Sequence, residues 1–333
     1  MVSRANNIFS PPCPYNVIKG ENNMVQSLIL FGIYIAVFLV GMMLLKYGFY
    51  RLSAHKLKAW LTKFTKTPLQ SFLTGTIITA LVQSSSAVIV VTVGLVTARY
   101  LTFRQSLGII LGTNIGSTVT TEIITLDIAK ASIPLLIVGS LFVVFTKERV
   151  LYSLGAIFVG FASVFFAMDG FKLTAEPLSV HSVVEQLLTT TNNSLISGII
   201  VGTIITSIIQ SSAATIGIAM GFLTENLITL PTGVAMLLGA NIGTCVTGLL
   251  ASINSSHEAK LTAYTHLWFN VLGVITFYPL INVICLLADH LANTPDVQLA
   301  HISVLFNVIC SLIALPFTDQ IEKFILFLHG KKD

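Results

Sequence analysis

Long apolar stretches restrict this chain to one class of fold. Residues 27–45, and residues 131–145 with their flanks, are nearly unbroken runs of hydrophobic side chains, and such runs recur along the 333 residues. Only 10% of the residues are charged, against roughly a quarter in soluble proteins. A helix that crosses a bilayer needs about 20 apolar residues and satisfies its own backbone hydrogen bonds. The sequence therefore predicts an all-α, polytopic membrane protein.

Charge and cysteine content argue against several other classes. The net charge of +4 is interpreted as loop topology rather than nucleic-acid binding. Four cysteines are scattered along the chain without the spacing of a metal site: Cys13, Cys245, Cys285 and Cys310. Three of them lie in apolar segments, where they are predicted to be small buried side chains. His266 and His301 are given no ligand role, because neither has a metal-binding partner at a suitable spacing. Residues 1–24 lack an apolar core and predict a polar N-terminal tail, not a signal peptide.

A polar Gln-Ser-Ser block occurs twice in matching apolar surroundings. The first begins at Gln83 and the second at Gln210, and 210 minus 83 is 127. The same offset separates the later blocks GTNIG and GANIG, which begin at Gly112 and Gly239. An internal repeat is therefore predicted, with repeat 1 at about residues 72–125 and repeat 2 at about residues 199–252.

The distribution of Lys and Arg predicts the orientation of the repeats. Residues 46–66 and 147–149 are basic and are predicted to be cytoplasmic loops, as is the C-terminus. Residues 173–195 contain no Lys or Arg and are predicted to form a loop outside the cell. Repeat 1 then enters the membrane from the cytoplasm and repeat 2 from outside, so their topologies are inverted.

This orientation divides the chain into segments. After the tail come a first half, 25–172, an extracellular linker, 173–195, and a second half, 196–329, that ends in two membrane helices. Those last helices contain the related stretches FNVLGVITFYP and FNVICSLIALP. Each has an Asn near one end and a Pro near the other, which we interpret as helix packing and a kink.

Inverted repeats are typical of secondary transporters, whose sites are formed by broken helices near the bilayer midplane. Each Q-S-S block is predicted to be such a break, because Gln and Ser can cap helix ends and offer neutral oxygens to a cation. The N-terminus of the following half-helix attracts an anion. The G-x-N-I-G blocks predict a second break in which glycines permit close backbone approach. For the Q-S-S blocks, the alternative is that the serines bond to backbone carbonyls or join neighbouring helices. For the G-x-N-I-G blocks, the alternative is small-residue packing.

Charged residues within apolar stretches are further candidates for functional residues. Glu122 and Asp127 follow the first G-x-N-I-G block. Asp169 and Lys172 are predicted to form a pair at a helix end near the membrane surface.

The Q-S-S motifs at 83–86 and 210–213, with GTNIG and GANIG after them, resemble the type II sodium/phosphate cotransporter family. The resemblance extends over about residues 30–320. It implies inorganic phosphate as substrate, sodium as coupling ion, and a re-entrant hairpin leading into each motif. It also implies a bacterial, transport-only form, because the sequence contains neither a C-terminal phosphate-regulatory domain nor a large ectodomain.

The same resemblance assigns the site residues. Phosphate would be bound by Gln83, Ser84, Ser85, Gln210, Ser211, Ser212, Asn114 and Asn241. Sodium would be bound by Gln83, Ser86, Thr113, Ser117, Gln210 and Thr244. The second motif departs at Ala213, where the first has Ser86, so one hydroxyl is missing there. No cofactor is expected beyond sodium.

The resulting expectation is sodium-coupled phosphate uptake by alternating access, in the cell (inner) membrane. The partners are phosphate, sodium and the lipid bilayer, with no nucleic acid. The alternatives are a phosphate exporter, a carrier of another small anion, or a non-transporting membrane phosphate sensor. An enzyme is not expected, because no group of nucleophile, base and metal ligands is evident.

Overall fold

Helices form the regular structure of this protein. The computed structural model describes residues 15–126, 131–288 and 290–330, and no β-strand occurs among them. The helices are α1 (Tyr15–Lys63), α2 (Pro68–Val82), α3 (Ser85–Thr97), α4 (Phe103–Ile124), α5 (Ser132–Phe145), α6 (Arg149–Ser179), α7 (Ser182–Asn193), α8 (Leu195–Ile209), α9 (Ser212–Thr224), α10 (Leu230–Ser252), α11 (His257–Phe277), α12 (Ile281–Ala288), α13 (Pro295–Ala314) and α14 (Thr318–His329). The all-α prediction is confirmed. Cys13, Asp127 and most of the predicted tail 1–24 lie outside the described residues.

Six segments of the described chain are long and apolar enough to cross a membrane: Val25–Ser53, Phe103–Ile124, Arg149–Ser179, Leu230–Ser252, His257–Ala288 and Pro295–His329. The second and fourth, which are α4 and α10, are the most enclosed, because 72% and 61% of their most apolar 18 residues are buried. Only 22% of the most apolar 18 residues of Val25–Ser53 are buried, so much of this segment lies on the outside of the molecule. The repeat helices α4 and α10 therefore form the centre of the molecule.

The sequence repeat is also a repeat of helices. Helices α2, α3 and α4 begin 127 residues before α8, α9 and α10, since 195 minus 68, 212 minus 85 and 230 minus 103 are all 127. Helices α2 and α8 have 15 residues each, so each is about 22 Å long and shorter than a bilayer core of about 30 Å. Each short helix continues into a second short helix across a Q-S-S motif.

The G-x-N-I-G blocks do not break their helices. Both α4 and α10 continue through them, so the predicted second break is wrong. The glycines instead permit close packing, because a Cβ at Gly116 would lie 2.5 Å from the carbonyl oxygen of Thr76 on α2. A Cβ at Gly243 would lie 2.7 Å from the carbonyl oxygen of Thr203 on α8. The predicted close backbone approach is therefore present within unbroken helices.

Two predicted loops are mostly helical. Residues 46–63 of the basic stretch form the second half of α1, because no proline interrupts the chain before Pro68 and Lys and Leu favour helix. The segment 173–195 is taken up largely by the end of α6 and by α7, Ser182–Asn193. The side of the membrane on which each lies stays a prediction.

The last two membrane segments are interrupted where their prolines predict. A short 3-10 turn, Tyr278–Leu280, separates α11 from α12, and another, Leu315–Phe317, separates α13 from α14. Proline removes a backbone donor and clashes with the preceding turn, which accounts for the interruption of each helix.

Repeat 1 packs directly against these last helices. Ser311 on α13 donates a hydrogen bond of 3.0 Å to the carbonyl of Leu111 on α4. The hydroxyls of Ser106 on α4 and Thr262 on α11 lie 2.9 Å apart. Helix α4 of the first half is thus held by two helices of the second half.

We predict that Gly116→Ala lowers the thermal stability of the purified protein by several degrees. Its added methyl group meets backbone and Cβ atoms of α2, and overpacking of this kind costs about 1–3 kcal/mol. Gly94→Ala is the matched control, because Gly94 is exposed on α3 and a Cβ there meets no atom within 4 Å. Melting curves in detergent test this prediction, and equal melting temperatures for the two variants would contradict it.

Candidate functional site

Each Q-S-S motif forms a sharp turn between two short helices. Gln83 ends α2 with φ at 55°, and Gln210 ends α8 with φ at 58°. This left-handed region is uncommon for residues with a Cβ, so each turn must be held by other contacts. The backbone N–H of each glutamine donates to a carbonyl four residues back, that of Thr79 or Thr206, at 2.8 Å. The helix is thus broken at both motifs.

The glutamine side chains hold the turns through both ends of the amide. Nε2 of Gln83 donates to the carbonyl three residues earlier, and Oε1 accepts from the Thr120 hydroxyl at 2.8 Å. Gln210 makes the matching pair of bonds, with Thr247 as its hydroxyl donor. Each amide still has a second oxygen lone pair and a second N–H hydrogen. The glutamines are therefore structural clamps that retain some capacity for a ligand.

The first serine of each motif starts the next helix. Ser84 Oγ accepts from the N–H of Ala87 at 3.2 Å, and Ser211 Oγ accepts from the N–H of Ala214 at 3.3 Å. Serine is a favoured N-cap for this reason. The remaining N–H groups in the first turns of α3 and α9 have no acceptor within their own helix and carry the positive end of its dipole.

The two turns meet at one small polar cavity. Its wall consists of Met42, Lys46, Gln83, Ser84, Ser85, Ser86, Ser117, Thr120, Gln210, Ser211, Ser212, Ala213 and Thr244. The hydroxyls of Ser85, Ser86 and Ser212 have no hydrogen-bond partner within the described chain. The cavity volume is about 30 Å³, which is about the space of one or two water molecules. A tetrahedral oxyanion fits only when the walls move apart.

Ser117 and Thr244 add acceptors at repeat-related positions. Each hydroxyl donates to the backbone carbonyl three residues earlier at 2.7 Å. A hydroxyl that donates its hydrogen to its own helix presents only lone pairs to the cavity. Neutral oxygens of this kind suit a small hard cation.

The charge on the wall is positive. Lys46 contributes an ammonium group, the N-termini of α3 and α9 contribute partial positive charge, and no carboxylate lies among the lining residues. Within the described chain no three His, Cys, Asp or Glu side chains are grouped as a metal site requires. The cavity is therefore suited to an anion accompanied by small cations.

Three predicted site residues lie outside this wall. Asn114 Nδ2 donates to Oδ1 of Asn270 on α11 at 3.2 Å, and Asn114 is 5% exposed. Asn241 Nδ2 and the Thr113 hydroxyl each donate to a carbonyl of their own helix, at 3.1 Å and 2.7 Å. In this conformation these three residues support the helices behind the cavity, and their binding roles stay predictions.

Several contributors were missed by the sequence analysis. Thr120 and Thr247 stand 37 residues after their glutamines, since 120 minus 83 and 247 minus 210 are both 37. Aligning the polar positions of the two repeats would have found this pair. The sequence groups Lys46 with a basic loop, although Lys46 follows directly on an apolar run. Met42 gave no signal, because apolar residues surround it.

The two turns are not equivalent. In repeat 2 the hydroxyls of Thr206 and Thr215 lie 2.7 Å apart, which ties α8 to α9 beside the turn. In repeat 1 the position matching Thr215 is Val88, and the buried hydroxyl of Thr79 has no partner in the described chain. One polar link is thus present in the second turn and missing from the first.

The other charged candidates lie elsewhere. Glu122 pairs with His301 on α13, with Oε1 and Nδ1 2.9 Å apart. Asp169 and Lys172 line a separate cavity of about 350 Å³ together with Asp296. The predicted Asp169–Lys172 pair is wrong within the described chain, since no ion pair joins them and both side chains border open space.

A further cavity, of about 280 Å³, lies between α11, α13 and α14. Its wall is almost entirely apolar and includes Trp268 and Phe324. It carries no charged side chain and is unsuited to an inorganic anion.

Comparison with known proteins gives a family for most of the chain. The model of the Na+/Pi-cotransporter family matches residues 37–173 and 178–286. YqeW of Bacillus subtilis is 38% identical over 92% of this chain and 99% of its own length. YjbB of Escherichia coli K12, whose name describes inorganic phosphate export, is 23% identical over 87% of this chain. No solved structure matches significantly.

Other relatives are matched only in part. The aligned region spans 53% of the length of YjbB. Human sodium-dependent phosphate transport protein 2B is 27% identical over 120 residues, which is 34% of this chain and 16% of that protein. Because the family model covers well over half of the sequence, this multi-pass membrane protein belongs to the Na+/Pi-cotransporter family, a family of transporters and not of enzymes.

Proposed function

We propose that this protein transports inorganic phosphate through the cavity between its two Q-S-S turns. The observation that carries this proposal is the convergence of two helix N-termini and Lys46 on one cavity whose lining contains no carboxylate. Phosphate near neutral pH bears between about one and two negative charges on oxygens that accept hydrogen bonds. Backbone N–H groups at helix N-termini are ready-made partners for such an anion.

The serine hydroxyls fit the same substrate. Ser85, Ser86 and Ser212 face the cavity without a protein partner and are free to donate to phosphate oxygens. Ser84 and Ser211 keep the helix ends in place, while Gln83 and Gln210 fix the turns. Hydrogen bonds to a charged acceptor are about twice as strong as neutral ones, so a few of them give useful affinity.

Sodium is proposed as the coupling ion. Ser117 and Thr244 offer lone pairs to the cavity at symmetric positions, and Ser86 adds a hydroxyl that only the first motif possesses. An anion in a low-dielectric site is costly unless cations accompany it. An inward sodium gradient would then drive phosphate into the cell.

Alternating access between inverted repeats is the proposed mechanism. Each repeat supplies a short-helix pair and one long central helix, as in other transporters built from repeats. Gln83 is 6% exposed, whereas Gln210 is exposed, so the two turns differ in accessibility in this conformation. Rocking of one repeat against the other would widen the cavity. It would also bury the turn that is now exposed and expose the turn that is now buried.

Phosphate export is the second candidate, because the name of the relative YjbB describes that direction. The same cavity could carry phosphate in either direction, and transport measured under imposed sodium and phosphate gradients distinguishes uptake from export. Accumulation of phosphate in proteoliposomes against its own gradient, driven by inward sodium, supports uptake. Phosphate movement that ignores the sodium gradient supports an uncoupled exporter.

We predict that Ser85→Ala and Ser212→Ala each raise the KM for phosphate about tenfold or more. Each removes a donor to a charged substrate, an interaction of about 1.5–3 kcal/mol, and about 1.4 kcal/mol corresponds to tenfold. Initial rates of labelled-phosphate uptake into proteoliposomes measure the change. Ser179→Ala, on the exposed end of α6, is the control. Wild-type KM values in both cavity variants would rule out this site.

We predict that Ser117→Ala and Thr244→Val raise the sodium concentration for half-maximal uptake several-fold. The substituted side chains lose the oxygen that faces the cavity, whereas the phosphate donors remain. Uptake is measured against sodium at saturating phosphate, and Thr190→Val on exposed α7 is the control. If sodium dependence is unchanged, the cation is bound elsewhere.

A further inference from the structure

Lys46 occupies a position where an ammonium group is costly. It lies inside the candidate span Val25–Ser53 and is half-buried between α1 and its neighbours. Ionisable side chains within membrane segments are rare, and they face the protein interior or a water-filled cavity. Lys46 follows this rule, because it lines the cavity of the two Q-S-S turns.

Within the described chain no carboxylate forms an ion pair with Lys46. The ion pairs within the described chain lie elsewhere, joining Arg104 to Asp319 and Glu322, and His301 to Glu122. Of the helices packed against α1, α2 and α9 contain no charged residue. Gly41 and Gly48, on either side of Lys46, meet a stretch of α6 from Ser153 to Val164 that contains none. Asp169 on α6 borders a different cavity. The neighbours of Lys46 on the cavity wall are serines, threonines, glutamines, Met42 and Ala213.

An ammonium group without a counter-ion destabilises a protein in proportion to its burial. Such a charge is usually stabilised by an acidic partner or by bulk water. Lys46 has no acidic partner in the described chain, and its access to bulk water is restricted. Lysine also has a four-carbon stem that lets its charge follow a ligand. A bound anion would therefore complete the charge balance of this cavity.

We propose that Lys46 is a tethered cation of the substrate site, whose ammonium group contacts a bound tetrahedral oxyanion and takes the role of one coupling cation. This inference rests on the proposed function. The anion would then be held between a lysine on α1 and the N-termini of α3 and α9. Because this cation is part of the chain, the protein would bind phosphate with measurable affinity before sodium is added.

The test is phosphate binding to the purified protein by isothermal titration, with choline replacing sodium and then with saturating sodium. In the sodium-free arm we expect Lys46→Met to weaken binding at least about tenfold, because it removes a charge-assisted contact. Lys46→Arg keeps the charge and should retain most of the affinity. Lys63→Met is the matched control, since Lys63 lies on the same helix and is exposed.

The outcomes separate the two proposals. Equal affinity of wild type and Lys46→Met without sodium would overturn the role of Lys46, as would wild-type protein that binds phosphate only with sodium. A wild type that binds no phosphate in either arm would instead overturn the proposed function. If Lys46→Met does not yield folded protein by gel filtration, Lys46→Gln is measured in its place and must show the same loss.

Discussion

Backbone groups in a membrane must find partners within the protein, and this requirement shapes the centre of the molecule. Each missing partner in hydrocarbon costs several kcal/mol, so a helix ends there only with dedicated caps. Gln83 and Gln210 end one helix, and the serines that follow them begin the next. The threonines of α4 and α10 secure both glutamines, so the turns and the central helices depend on each other.

The residues of each Q-S-S motif have two different roles. The glutamine and the first serine have partners within the protein, whereas Ser85 and Ser212 do not. Adjacent residues thus hold the fold and offer hydrogen bonds to a ligand. The rigid part keeps the helix N-termini directed at the cavity, and the free hydroxyls supply adjustable donors.

The sequence was sufficient to predict the helical membrane class, the repeat and the two helix breaks, because each follows from a local pattern or a fixed offset of 127 residues. The sequence predicted helix breaks at the G-x-N-I-G blocks, where the helices are in fact continuous. Glycine is compatible both with a helix break and with close helix packing, so the motif alone does not distinguish them. The sequence also assigned Lys46 to a loop, because a cluster of Lys and Arg indicates a side of the membrane and does not show where a helix ends. The Asn114–Asn270 bond joins distant parts of the chain, and no local pattern indicates it.

The small volume of the cavity limits what can bind in this conformation. At about 30 Å³ it has room for one or two water molecules, so a tetrahedral oxyanion requires the two turns to move apart. Under the proposed function, part of the free energy of phosphate binding would be spent on that separation. The measured affinity for phosphate would then also report how readily the two repeats part.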